Sequence, residues 1–155
     1  MHYHVICENQ RNFIISSIPF QHEMDEYITL LQKNAINLVI NLTEISSYSP
    51  EKIQNANIDY LHFPIQDGTF PTDEQIKKLI TFLDRYNSIA FHCTAGFGRA
   101  PLLLAISLII LYDYKPIDII ERIRKVNPKA FNTIQIDFLC KFKRKKYIDN
   151  KCIIS

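Results

Sequence analysis

Cysteine is scarce and scattered: the four cysteines stand at positions 7, 93, 140 and 152, with no C-x-x-C pair and no histidine–cysteine cluster at zinc-finger spacing. That argues against a disulfide framework and a structural metal, and it suits a reducing cytosol. Glycine is scarcer still, and two of the three glycines, Gly96 and Gly98, share one short loop. The chain also lacks internal repeats and low-complexity linkers. Its longest apolar run, Pro101 to Tyr112, is about half the length of a membrane span and reads as a buried helix. Met1 to Phe13 mixes His, Glu, Asn and Arg and has no apolar signal-peptide core. No segment is expected to cross a bilayer.

What is present fits one compact domain: 155 residues, 47% hydrophobic and 22% charged. The net charge of +2 hides an asymmetry. Residues 141–155 carry Lys141, Lys143, Arg144, Lys145, Lys146 and Lys151 against Asp149, a balance of +5, which leaves −3 for the rest. The expected organisation is therefore a domain over 1–140 and a polybasic tail over 141–155 that seeks an anionic partner. A nuclear-import signal or a nucleic-acid patch would use similar lysines. No aromatic interleaving or fold motif marks a nucleic-acid reader, so no such partner is expected.

Strand and helix signals alternate. Val5–Cys7, Phe13–Ile15, Leu38–Leu42, Ile58–Phe63 and Ile89–His92 read as strands. Helical spacing runs from Glu23 to Asn34, with Met24, Tyr27, Ile28 and Leu31 on one face. Thr72 with Gln75 forms a capping box opening a helix to Arg85, and a further helix starts at Arg99. Pro116 opens a helix to Val126, and Asn132 with Gln135 caps a last helix expected to continue into the basic tail. The pattern predicts an α/β fold with a central, mostly parallel sheet flanked by helices.

The chemistry concentrates in His92-Cys93-Thr94-Ala95-Gly96-Phe97-Gly98-Arg99-Ala100-Pro101, where a buried strand ends and a helix begins. Backbone N–H groups of such a loop converge on an anion, and the helix N-terminus adds its positive end. Thr94, Ala95, Gly96, Phe97 and Gly98 are thus candidate phosphate-binding residues, the glycines supplying backbone freedom. Arg99 brings a planar fork that grips two oxygens at once, and Cys93 in this positive setting is a candidate nucleophile. Each residue alone reads as ordinary, a buried cysteine or a turn glycine; the combination at this spacing does not. His92 stays open between positioning the sulfur and filling the core. Neither a cofactor nor a metal is called for.

Phosphoryl transfer to sulfur needs an acid for the leaving oxygen. Asp67, in Phe63-Pro64-Ile65-Gln66-Asp67-Gly68, is the candidate, on a loop that follows a strand; Asp-Gly is also a common turn pair. Asp73 and Glu74 read as first-turn charges of the helix capped by Thr72. The last four residues, Cys152-Ile153-Ile154-Ser155, match a C-a-a-X box, with farnesyl on Cys152 favoured by the terminal serine. One lipid chain anchors only marginally, so the basic run would be the second signal.

These motifs resemble the protein tyrosine phosphatase superfamily and, within it, the phosphatases of regenerating liver (PRL) group. HCTAGFGRAP is similar to that group's HCVAGLGRAP, FPIQDG to its WPFDDG, AFNTIQIDFL to its AFNSKQLLYL, and CIIS sits where it carries a prenylation box. The resemblance implies a small dual-specificity phosphatase fold, with Cys93 as nucleophile through a phosphocysteine, Arg99 as phosphate binder and Asp67 as general acid. The substrate would be a phosphorylated protein, at tyrosine and alternatively at serine or threonine. The place would be the cytoplasmic face of the plasma or an endosomal membrane, or the cytosol or nucleus when unprenylated. Ala100 stands where related enzymes carry Ser or Thr, so no hydroxyl aids the departing sulfur and turnover would be slow. Thr43 stands where the group has a cysteine, which puts its protective disulfide in question; Glu44 is kept and would pair bidentately with Arg99. The competing reading is a membrane-tethered binding module whose pocket docks an acidic side chain of a partner, such as a cyclin M family magnesium transporter.

Overall fold

The computed structural model describes residues 1–148, so the expected lipidation box at Cys152 lies outside the described residues. Five strands, β1 Tyr3–Glu8, β2 Arg11–Ser17, β3 Leu38–Asn41, β4 Asp59–His62 and β5 Ile89–Cys93, form one sheet in the order β1-β2-β5-β3-β4. All neighbours run parallel except β1, which pairs antiparallel with β2. Their two-residue turn, Asn9-Gln10, has both φ angles positive, a geometry that matches the natural strand twist.

Side chains alternate across the sheet and so build two cores. Phe13, Ile15, Ile40 and Phe91 face the layer of α3 Asp73–Arg85, α4 Arg99–Tyr112, α5 Pro116–Val126 and α6 Thr133–Lys141. Ile14, Val39 and Ala90 face Tyr27 and Leu31 of α1 Met24–Lys33 and Ile53 of α2 Glu51–Asn55. α4 is apolar all round, and every residue from Arg99 to Ile110 is buried, because it lies against the sheet beneath other helices.

Both expected capping boxes form: Thr72 and Asn132 each accept the N–H three residues on, and Gln75 and Gln135 reach back. Three features depart from the sequence reading. α2 was not expected, since five residues are too few to display a helical period. α6 ends at Lys141, where Phe142 turns extended, instead of continuing into the tail. The body also passes residue 140. Arg144 Nε donates to the Ile110 carbonyl at 2.9 Å, Lys146 pairs with Asp73 at 2.8 Å, and the Tyr147 hydroxyl donates to Asp73 at 2.6 Å. Phe142 stacks on Tyr147 with centroids 5.3 Å apart. Contrary to the sequence reading, aromatic residues do interleave with these lysines, and Phe142 and Tyr147 serve to pack residues 142–148 on the body.

His92 is resolved as a core residue. Fully buried in β5, it has Nδ1 3.1 Å from the Tyr27 hydroxyl on α1 and Nε2 3.0 Å from the Tyr48 hydroxyl. Burial drives its pKa down to about 3, so the ring is neutral, with one tyrosine donating to it and the other accepting. Since the folded pKa lies below the unfolded value of 6.5, the unfolded chain takes up the proton first. The resulting stability is complete above about pH 6.5 and is lost as pH falls toward 3. Between about pH 6.5 and 5, where carboxylates contribute little, the urea midpoint is expected to fall with pH. His92→Gln, which keeps a donor and an acceptor, should flatten that slope; equal slopes in both proteins would reject the assignment.

Candidate active site

Parallel strands direct their carboxyl ends to one edge, the usual place for a ligand in such sheets. There β5 ends at Cys93, residues 94–98 turn, and α4 begins at Arg99. The turn is held from outside. A side chain at Gly96 (φ +79°) would put its Cβ 2.8 Å from the backbone of Ser16 and Ser17, so only glycine fits against the end of β2. Asn127 Nδ2 donates to the Gly96 carbonyl at 3.0 Å, and the Phe131 N–H donates to the Phe97 carbonyl at 2.8 Å. Among the described residues, no backbone N–H of residues 94–98 has a protein acceptor. The result is a row of free donors at the N-terminus of a 14-residue helix.

Cys93 and Arg99 are each 3% exposed. Arg99 Nη1 donates to the carbonyls of Leu42 (3.3 Å) and Ile65 (2.9 Å), and Nη2 to Thr94 Oγ1 (3.0 Å). Asp67 Oδ1 lies 3.3 Å from Nη2, on a side chain that is otherwise largely in solvent. Nε is buried without a hydrogen-bond partner among the described residues. The expected bidentate pair with Glu44 does not form: the single approach is 3.9 Å. Glu44 instead accepts the Asp67 N–H at 3.2 Å, so its carboxylate holds the loop that carries Asp67 while two carbonyls take the guanidinium.

Several direct contacts thus fix the loop that carries Asp67. Besides Arg99 to Ile65 and Asp67 to Glu44, Gln75 Nε2 donates to the Pro64 carbonyl (2.9 Å), Asn132 Nδ2 to that of Gly68 (3.0 Å), and Gln135 Nε2 to that of Thr69 (3.2 Å). Asn132 and Gln135 were legible only as helix caps. That they also join the acid loop to the cysteine loop, with Gln135 walling Gly98, needed the packing of α6. Phe97 and Ala95 sit at the rim, Phe97 with Lys129 5.3 Å above its ring. Thr43 is buried, its hydroxyl 2.7 Å from Asn41 Oδ1, and Cys7, Cys93 and Cys140 are free thiols. The structure brings Cys93, Thr94, Arg99 and Asp67 to one place; Cys152 is not among the described residues.

This constellation has close parallels. The family model described as "Polymorphic toxin system, DSP-PTPase phosphatase" matches residues 17–112, which include the cysteine loop and Asp67. The PRL-1 phosphatase of Drosophila melanogaster is 34% identical over 145 residues, 90% of this chain and 81% of the relative. Protein tyrosine phosphatase type IVA 3 of Bos taurus is 29% identical over 148 residues, covering 92% and 84%. A solved protein tyrosine phosphatase from Leishmania major superposes with a TM-score of 0.81 at 26% identity, over 92% of this chain and 99% of that one. Fold and sequence agree along nearly the whole length, and the chain belongs to the protein tyrosine phosphatases, in the group of the PRL-1 and type IVA enzymes.

Proposed function

We propose that this phosphatase hydrolyses phosphotyrosine in proteins through a phosphocysteine, with Cys93, Arg99 and Asp67 as its catalytic residues. The observation that carries this reading is the set of unpaired donors, the N–H groups of 94–98 and Arg99 Nε, gathered beside one buried sulfur. A buried donor without a partner costs on the order of 1–3 kcal/mol, which applies to Arg99 Nε, and with the free N–H groups of the loop beside it the site suits a polyanion that satisfies them together. In the first step the Cys93 sulfur attacks phosphorus, the P–O bond to the tyrosyl oxygen breaks, and Asp67 gives that oxygen its proton. In the second, the Asp67 carboxylate takes a proton from water, the water oxygen bonds phosphorus, and the S–P bond breaks to free phosphate and the sulfur. Ala100, fully buried at the start of α4, supplies no hydroxyl to the departing sulfur, so the second step is slow. Phosphoserine and phosphothreonine are secondary substrates.

The enzyme works on a membrane, held by a farnesyl on Cys152 and by basic residues before it. Packing refines which charges serve. Arg144 is engaged with Ile110 and the exposed Lys146 with Asp73, whereas Lys143 and Lys145 are exposed and make no ion pair among the described residues. Each exposed lysine near an anionic leaflet contributes about 1 kcal/mol.

Cys93→Ser is expected to lower turnover of aryl phosphates more than about a thousandfold with the fold intact. Asp67→Asn should slow phosphotyrosine about a hundredfold and nitrophenyl phosphate far less, since that leaving group needs little protonation. Retained hydrolysis in the first, or equal losses in the second, would remove that residue from the mechanism; turnover also separates hydrolysis from the docking alternative. A pre-steady-state burst should precede slow turnover in the wild type, and Ala100→Ser should raise steady-state turnover about tenfold, the worth of one hydrogen bond to a charged group. A variant no faster, with no burst in either protein, rejects slow phosphocysteine breakdown. In fractionated cells Cys152→Ser should leave the membrane pellet, and the Lys143→Gln, Lys145→Gln double variant should bind it more weakly and loosen further with salt. A Cys152→Ser protein still in the pellet would show that the tail is not the anchor.

A further inference from the structure

Beside the cysteine loop lies a second concavity that the hydrolytic mechanism does not use. It is a groove of about 460 Å³ that reaches the cysteine loop at Thr94, walled by the apolar Ile18, Phe20 and Ile45 and also by the polar His2 and Glu23. Its walls expose two large apolar side chains, Phe20 at 57% and Ile45 at 86%. Single exposed apolar residues are ordinary, but here they line one depression next to a reactive centre.

The walls are held firmly. The Thr43 hydroxyl lies 2.7 Å from Asn41 Oδ1 and 2.9 Å from the Ile45 carbonyl, which ties the base of the loop to the end of β3. Ser46 Oγ donates to the Tyr48 carbonyl at 2.9 Å, and the buried Tyr48 ends on His92. Ser47 Oγ donates to the Pro19 carbonyl at 2.9 Å, which joins the Ile45 loop to the segment carrying Phe20. Ile45 is therefore presented to solvent by backbone fixed on both sides, an arrangement that is pre-organised for a partner. Thr94 belongs to both the groove and the cysteine loop, so the two are continuous and one ligand can reach both.

We propose that this groove is a specificity subsite for the polypeptide flanking the phosphotyrosine, and that it selects a large aliphatic or aromatic residue next to the phosphorylated one. The proposal rests on the phosphotyrosine reading above and adds to it the class of substrate sequence. An apolar neighbour buries the faces of Phe20 and Ile45, whereas a charged one loses hydration there and finds the charged groups of the lining, Glu23 and the Met1 ammonium, already paired with each other at 2.9 Å.

The test is a panel of phosphotyrosine peptides that differ only in the residue on either side of the phosphotyrosine: leucine, phenylalanine, alanine or aspartate. kcat/KM is the readout, because it ends at the first chemical step and is insensitive to slow phosphocysteine breakdown. The wild type is expected to prefer leucine or phenylalanine over alanine about tenfold at one of the two positions. In the Ile45→Ser, Phe20→Ser double variant that ratio should fall toward one. Because each ratio is taken within one protein, a general loss of activity does not mimic the effect. A wild type that treats all flanks alike overturns the subsite whatever the variant does, and so does a variant that keeps the ratio. An apolar preference seen with acyl-chain phosphoinositides but with no peptide assigns the groove to lipid and overturns it as well. Absence of turnover with nitrophenyl phosphate and every peptide overturns the phosphatase reading and this one together, a pattern distinct from turnover without preference.

Discussion

The site depends on how one buried cation is accommodated. A guanidinium taken out of water has five N–H donors to satisfy and a charge to offset. Arg99 meets this need with the Leu42 carbonyl after β3, the Ile65 carbonyl and Asp67 carboxylate of the acid loop, and the Thr94 hydroxyl of its own loop. Three segments distant in sequence are thereby fixed relative to one another by one side chain. The loop that carries Asp67 is held by direct contacts to Glu44 and Arg99, which fixes its carboxylate beside the guanidinium. Arg99 leaves Nε without a partner among the described residues, and this is the atom that the proposed function assigns to a bound oxyanion.

Around this centre, structural elements carry two roles at once. Asn132 and Gln135 end the unpaired backbone of α6 and also bind the carbonyls of Gly68 and Thr69. Phe131, with φ +70°, sits in the left-handed region that a bulky residue seldom adopts, and its N–H reaches the Phe97 carbonyl. Arg124 donates to the carbonyls of Ala130 and Phe131 and helps hold that conformation. The strain lies on the scaffold behind the cysteine loop, where rigidity keeps the row of N–H groups aligned. His92 contributes at one remove: as a neutral link between Tyr27 and Tyr48 it steadies the strand that ends at Cys93.

The C-terminal region shows how charge and packing compete over the same residues. As a sequence, residues 141–148 look like a solvated basic run. In the fold, Phe142, Tyr147 and Ile148 pack on the body, and Asp73 at the start of α3 receives both Lys146 and the Tyr147 hydroxyl. Asp73 therefore serves more than the dipole of its helix, and the route from the body toward Cys152 begins at a docked segment.

The sequence by itself determined the α/β alternation, the two capping boxes and the strand–cysteine–loop–arginine–helix unit. Each is local: period, cap and loop chemistry act over a few residues, and Cys93 and Arg99 are only a turn apart. Asp67 was legible because an acid was chemically required, not because its position announced it. Only the tertiary structure decided the partner of Glu44, the clamp made by Asn132 and Gln135, the neutrality of His92, the docking of residues 142–148, and the groove between Phe20 and Ile45. All of these join residues 20 or more positions apart, or depend on what burial leaves in contact. A side chain's pattern in sequence reports which face it lies on, and says nothing about which distant carbonyl or ring will meet it there.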